Sequence, residues 1–293
     1  MTDRYAVVGN PVAHSRSPSI HARFAWQTGH DIAYGRLLAP LDGFAGTVER
    51  FRDEGGCGLN VTVPFKLEAF AWATRRSPRA QVAGAVNTLR FDDDAALGDN
   101  TDGAGLVRDI ESRLGLALAG RSVLVLGAGG AARGVLGPLL DAGVERLTIA
   151  NRTPATAIAL VEAFAPTAQA GVPDRVAAAS TTLPARLQAC DFARLDSGFD
   201  LIVNATSAGL RAERLPVADG VFAAATLAYD MFYAPRDTAF VAQARAAGCR
   251  HACDGLGMLV EQAAESFLLW RGVRPLTAPV YEALRAELAA EAG

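Results

Sequence analysis

The run Arg121-Ser122-Val123-Leu124-Val125-Leu126, ended by Gly127-Ala128-Gly129-Gly130-Ala131-Ala132, constrains this chain more than any other segment. An apolar, β-branched run followed by glycines and an Ala/Leu-rich stretch reads as a strand, a tight turn and a helix start. Glycines in such a turn serve two ends. They permit a sharp backbone reversal, and they let amides at the helix N-terminus approach a pyrophosphate, where the helix dipole favours an anion. The spacing Gly127-x-Gly129-x-x-Ala132 fits the dinucleotide variant, although a glycine turn also arises for backbone reasons alone.

The next expected strand, residues 146–150, ends at Asn151-Arg152-Thr153, where an NAD enzyme usually places an acid against the ribose 2′-hydroxyl. No acid stands here. Asn151 and Thr153 can hydrogen-bond a 2′-phosphate and the planar Arg152 guanidinium can pair with it, so NADP is the expected cofactor. The competing reading makes Asn151 a turn residue, Thr153 an N-cap for a helix opened by Pro154, and Arg152 a solvated charge.

Strands are expected at residues 5–8, 59–63, 122–126, 146–150, 200–204 and 227–231, alternating with helices at 18–28, 104–114, 131–141, 154–164 and 238–247. That alternation is the pattern of parallel sheets flanked by helices. Two strand sets, one before about residue 92 and one after about residue 121, imply an α/β fold with two domains, separated by Asp92-Asp93-Asp94 and the loop 98–103. Helical stretches at 257–269 and 278–290 have no strand to close and are expected to pack back on the first domain. The Ala-rich stretch 176–188 fits neither period.

The chain's 293 residues, 51% hydrophobic and 20% charged, suffice for two modest cores. A net charge of −3 with scattered Lys and Arg carries no footprint for nucleic acid, so small-molecule partners are expected. No signal-like opening and no run of about eighteen apolar residues occurs, which reads as a cytoplasmic protein without a membrane partner. Cys57, Cys190, Cys249 and Cys253 are not spaced with the four histidines as a zinc site, so no metal is expected.

A second cluster of polar residues opens with Gly9-Asn10-Pro11-Val12-Ala13-His14-Ser15-Arg16-Ser17-Pro18. Ser17 before Pro18 reads as an N-cap, while Ser15 adds a second hydroxyl where amides and hydroxyls together can hold a carboxylate. In Leu59-Asn60-Val61-Thr62-Val63-Pro64-Phe65-Lys66, strand alternation puts Asn60 and Thr62 on one face and Lys66 just past the carboxyl end, where open sheets bind ligands. Lys66 is thus a candidate acid or base, or simply an exposed lysine. Asn87 within residues 84–89 and Asp102 within 98–103 lie at further loop ends, and Asp102 also suits a helix cap.

Taken together, residues 9–18, 60–66, 84–89, 100–103, 127–132, 151–153 and 204–209 follow the order of motifs in shikimate dehydrogenases, and the chain resembles that family over nearly its whole length. Asn-Val-Thr-Val-Pro-Phe-Lys together with Gly-Asn-Pro-x-x-His-Ser-x-Ser-Pro carries the resemblance. It implies NADPH-dependent, reversible reduction of 3-dehydroshikimate to shikimate, on the route to aromatic amino acids by way of chorismate. It also implies a substrate domain over residues 1–103, a Rossmann-like NADP domain over 104–255, and C-terminal helices over 256–293 that return to the first. By the same resemblance Lys66 and Asp102 are the catalytic pair, and Ser15, Ser17, Asn60, Thr62, Asn87, Tyr233 and Gln262 surround shikimate. Gly127, Ala128, Gly129, Gly130, Ala131, Asn151, Arg152 and Thr153 hold NADP, with Met231 and Gly255 beside the nicotinamide.

Family members often carry a basic residue soon after Asn-Arg-Thr. Pro154, Ala155 and Thr156 supply none here, which leaves Arg152 most of the discrimination against NAD. A lysine at its ordinary value near 10.4 is a poor base at neutral pH, so a lysine in this role serves most readily as a proton donor in ketone reduction. The rival readings are a quinate/shikimate dehydrogenase of the same fold, a non-catalytic NADP-binding sensor and a metal-dependent alcohol dehydrogenase. A monomer or a homodimer is expected.

Overall fold

The computed structural model describes residues 2–92, 95–170, 186–206 and 214–292. Its backbone divides into two compact units, Met1–Arg108 with Gly257–Ala286, and Asp109–Leu256 with Glu287–Gly293.

The first unit runs β1 (Asp3–Gly9), α1 (Ser17–Thr28), β2 (Ile32–Leu38), α2 (Phe44–Asp53), β3 (Gly56–Val61), α3 (Lys66–Trp72), β4 (Arg75–Arg76), α4 (Pro78–Ala83), β5 (Thr88–Phe91), β6 (Ala96–Asp99) and α5 (Asp102–Arg108). Its sheet has the order β2-β1-β3-β5-β6-β4. Alternation along β1 sorts its two faces: Ala6 and Val8 join Phe44, Val48, Phe51 and Phe65 in one core. On the other face Tyr5 stacks on Trp270 with ring centroids 4.6 Å apart.

Three expectations are corrected in this unit. The sheet is mixed, because β5 runs antiparallel to both β3 and β6. A parallel pair needs a crossover of about a dozen residues or more, and the link from Phe91 to Ala96 is far shorter. Strand β3 ends at Val61 and not at residue 63, since Phe65 N–H turns back to Thr62 O at 3.1 Å. Thr62 therefore stands in a turn and not on the strand face of Asn60. Finally, Arg16 is the N-cap of α1, and Ser17 is already helical, because Ile20 N–H reaches Arg16 O at 3.1 Å.

The second unit holds β7 (Ser122–Leu126), α6 (Gly130–Asp141), β8 (Arg146–Ala150), α7 (Pro154–Ala170), β9 (Arg186–Cys190), β10 (Leu201–Asn204), α8 (Asp219–Ala223), β11 (Leu227–Asp230), α9 (Ala239–Ala246) and β12 (His251–Cys253). All its strands pair in parallel, in the order β12-β11-β10-β7-β8-β9. Read from β9, that is the Rossmann order, and it reverses between β7 and β10. Both faces are covered, so β7 and β10 read as continuous apolar runs with almost every residue buried. The expected helix at 104–114 is instead α5 followed by a π-helical turn, Asp109–Arg113, whose buried Asp109 accepts from Tyr229 Oη at 2.7 Å.

Two C-terminal helices follow, α10 (Leu256–Arg271) and α11 (Ala278–Ala292). Residues Gly257–Ala286 of this segment belong to the first unit, whereas the end of α11 from Glu287 groups with the second, so the expected return of all of 256–293 is corrected there. On α10, Trp270 Nε1 donates to Leu89 O at 3.0 Å and Arg271 pairs with Asp3. Of the elements singled out in the sequence, residues 93–94, 176–185 and 207–209 lie outside the described residues.

Candidate functional site

Within the first unit, several loop and strand ends converge. Lys66, the first residue of α3, donates from Nζ to Asp102 Oδ2 at 2.6 Å. Asp102 opens α5 and its side chain is 8% exposed against 19% for Lys66, so the ion pair is largely out of water. Truncating one partner of such a pair leaves the other charge buried and uncompensated.

Asn87 fixes the second carboxylate oxygen. Its Nδ2 donates to Asp102 Oδ1 at 2.8 Å, while its Oδ1 accepts from Thr101 N at 2.8 Å. A backbone N–H only donates and a carboxylate only accepts, so these two partners define which end of the amide is which. Gln262, on α10, places Oε1 3.4 Å from both Asn87 Nδ2 and Thr101 Oγ1, and its own Nε2 is held by Leu259 O at 2.8 Å.

Asn60, buried on β3, donates from Nδ2 to Ser266 Oγ at 2.9 Å and Thr88 Oγ1 at 3.2 Å. Its Oδ1 accepts from Tyr34 Oη at 2.6 Å. Ser15 Oγ and Ser17 Oγ lie 3.2 Å apart at the start of α1, and Arg36 holds the Ser15 carbonyl. Burial pushes the Tyr34 phenol up, partly offset by a hydrogen bond with Ser17, so its ring links the serine pair to Asn60.

Beneath Tyr34, the imidazole of His21 stacks at 4.3 Å with an interplanar angle of 6°. Neither His21 nitrogen has a hydrogen-bond partner in contact geometry, and complete burial drives its pKa down to about 3, against the weaker upward pull of nearby Asn60. Beyond the pair, Asp99 feels burial pushing it up, but the bidentate Arg79 guanidinium and the Ser77 hydroxyl hold it below the usual carboxylate range. Arg79 also reaches Glu265 on α10, tying the returning helix to β6.

The structure brings Lys66, Asp102, Asn87 and Gln262, with Asn60 joined to them through Thr88 and Ser266, into one cluster of the first unit. Sequence reasoning missed the hydroxyls between them. Thr88 and Thr101 sat inside quoted motifs without a role, and Ser266, mid-helix on α10, carries no local signal. Tyr233 belongs to the second unit, where it stacks on Phe232 at 6.2 Å.

In the second unit the glycine turn lies at the reversal of strand order. Gly127 has φ +102°, and a Cβ there would come within 3.1 Å of the Ala205 carbonyl and Thr206, the residues that follow β10. Gly129 differs. It is the N-cap of α6 in extended backbone, φ −86°, and a Cβ on it, as on Gly130, would meet nothing within 4 Å. Gly129 and Gly130 therefore border open space at a helix N-terminus, which fits the phosphates of a dinucleotide, while the Ala128 side chain is buried.

Asn151 Nδ2 donates to Thr153 O at 3.1 Å, so its amide does shape the turn after β8, while Arg152 and Thr153 are exposed. Met231 N–H donates to Asn204 O and Gly255 N–H to Phe232 O, both at 3.0 Å, which sets these two residues at the carboxyl end of β11. Below them Asp230 is fully buried, and that burial raises its pKa against donors from Thr238, Phe232 N and Asn204. Among the described residues no cluster of His, Cys, Asp and Glu suits a metal, and no helix is long and apolar enough to cross a membrane.

Three family models cover the chain: the shikimate dehydrogenase substrate binding domain over residues 7–89, shikimate/quinate 5-dehydrogenase over 109–193, and the shikimate 5′-dehydrogenase C-terminal domain over 255–285. A curated relative from Aromatoleum aromaticum, named shikimate dehydrogenase (NADP(+)), is 58% identical over 98% of this chain and 98% of its own length. The chain belongs to the shikimate dehydrogenase family. Among solved structures, a member from Thermus thermophilus in complex with NADP(H) and shikimate is 34% identical, with a TM-score of 0.82 over 97% of this chain and 99% of that one. An Ael1 enzyme from Pseudomonas putida is 46% identical, with a TM-score of 0.85 over 97% and 98%.

Proposed function

We propose that this chain interconverts 3-dehydroshikimate and shikimate with NADP as redox partner, a step serving aromatic amino-acid synthesis by way of chorismate. The observation that carries the reading is the 2.6 Å Lys66–Asp102 pair, braced by Asn87. Lys66 and Asn87 both fall inside the segment matched by the substrate-binding family model.

NADPH, when bound, supplies the hydride for ketone reduction. The chain's own residues manage the proton and the geometry. Lys66, an ammonium directed by Asp102, gives a proton to the ketone oxygen as the carbon is reduced, and is reprotonated afterwards; in the oxidative direction it takes the hydroxyl proton.

Ser15 and Ser17 take the ring carboxylate and Gln262 its hydroxyls, with Thr62 and Tyr233 also assigned to the substrate by the family resemblance. Asn60 and Asn87 complete the polar wall, with their amides already oriented by the protein. A site of buried, oriented polar groups rejects analogues that leave one of them unpaired. On the cofactor side, Gly127, Ala128, Gly129, Gly130 and Ala131 take the pyrophosphate, Asn151, Arg152 and Thr153 the 2′-phosphate, and Met231 and Gly255 the nicotinamide.

Substrate binding is thereby assigned to residues 1–103 with the helices of 256–293, and cofactor binding to 104–255. The four cysteines form no disulfide, which suits a reducing cytoplasm, where we place the enzyme as a monomer or homodimer.

The test is reduced-nicotinamide absorbance with purified protein, shikimate and either NADP or NAD, and quinate as a parallel substrate. Shikimate-dependent reduction of NADP is expected. Absence of turnover with tight NADP binding supports a sensor instead, faster turnover with NAD defeats the cofactor assignment, and equal turnover of quinate supports the quinate/shikimate reading that the second family model's name includes.

A further inference from the structure

The two asparagines of the site meet at one buried hydroxyl. Thr88 is the first residue of β5 and completely buried. Its Oγ1 donates to Asn87 Oδ1 at 2.9 Å, accepts from Asn60 Nδ2 at 3.2 Å and lies 2.8 Å from Ser266 Oγ.

A hydroxyl has one hydrogen and two lone pairs. Asn87 Oδ1 is an acceptor because Thr101 N–H also points at it. With its hydrogen given to Asn87, Thr88 has a lone pair left to receive Asn60. The donors then run in one direction: Asn60 to Thr88, Thr88 to Asn87, Asn87 to Asp102 Oδ1, while Lys66 donates to Oδ2.

We propose that Thr88 is a positioning residue: its hydroxyl locks the Asn87 amide to that of Asn60 and, through Asn87, holds the Asp102 carboxylate against Lys66. Any side chain of similar volume fills the space. Only a hydroxyl at this place satisfies a donor and an acceptor at once, in a region where an unpaired polar atom is expensive. The inference rests on the reading that Lys66 and Asp102 act on shikimate.

The experiment compares Thr88→Val, which keeps the shape and removes the hydroxyl, with Thr88→Ser, which keeps the hydroxyl and removes a methyl. Steady-state kinetics with shikimate and NADP are measured beside the melting temperature. Thr88→Val is expected to lose about 10- to 100-fold in kcat/KM for shikimate, mostly in kcat, as for a group whose effect is felt at the transition state. The KM for NADP stays within about twofold, since the second unit is untouched, and Thr88→Ser recovers most of kcat even though it loses packing.

Wild-type kcat/KM in folded Thr88→Val overturns the proposal, as does equal impairment of the Val and Ser variants, which assigns the effect to packing. If Thr88→Val does not accumulate as folded protein, Thr88→Cys carries the same test: its weak donor predicts an intermediate loss, and unchanged kcat/KM refutes the role. A wild-type enzyme inactive on shikimate brings down the proposed function and this inference with it, whereas an active wild type with indifferent variants removes Thr88 alone.

Discussion

Gly129→Ala separates the two purposes a glycine turn can serve. Position 129 has extended backbone and open space where a Cβ would stand, so alanine fits without strain. Replacing glycine at a compatible site stabilises by about 0.4–1 kcal/mol through the unfolded chain, while alanine in place of glycine at an N-cap costs a similar few tenths to about 1 kcal/mol. The two nearly cancel, and the melting temperature should move by less than about 2 °C.

NADP binding should respond very differently, because the added methyl occupies the space through which amides at the start of α6 reach the pyrophosphate. Loss of one charge-assisted hydrogen bond, worth about 1.5–3 kcal/mol, raises Kd by roughly 10- to 100-fold. NADPH fluorescence titration and a thermal melt on the same sample read both quantities. A Kd within twofold of wild type would show that the turn exists for backbone reasons only, and the pyrophosphate assignment would fall. Gly127→Ala supplies the contrast: its φ of +102° and the 3.1 Å approach to the Ala205 carbonyl predict a destabilisation of about 1–3 kcal/mol, seen as a drop of several degrees.

Lys66→Ala should lower kcat by about 10²- to 10⁴-fold with shikimate KM little changed, and near-normal turnover would remove Lys66 from the chemistry. Arg152→Ala should raise the KM for NADP about tenfold or more while leaving NAD kinetics unchanged; equal effects on both cofactors would contradict a 2′-phosphate contact. His21 stays neutral in the fold to about pH 3 against its ordinary 6.5, so the unfolded chain binds a proton first and stability falls as pH drops below about 6.5. At pH 5 that loss is about 2 kcal/mol, and His21→Phe should shrink the difference in melting temperature between pH 7.5 and pH 5; an unchanged difference would mean that His21 is not the group responsible.

The sequence alone determined what is local. Residues 122–126 and 146–150 matched their strands end for end, because strands buried on both faces leave short, largely apolar runs rich in β-branched residues. The glycine turn and the missing acid after β8 were likewise legible, since both depend on neighbours in the chain. Strands β5 and β6, four residues each, left no period to read, and the half-exposed edge strand β2 left little more.

Only tertiary structure decided that the first sheet is mixed and that helix α1 starts at Ser17, one residue earlier than the Ser-Pro signal implies. It alone brought Ser266, Thr88 and Tyr34 to the two asparagines. Those contacts join residues up to 206 positions apart. A hydroxyl in the middle of a helix looks the same in sequence whether it faces water or a buried amide, and its meaning is set by the segment folded against it.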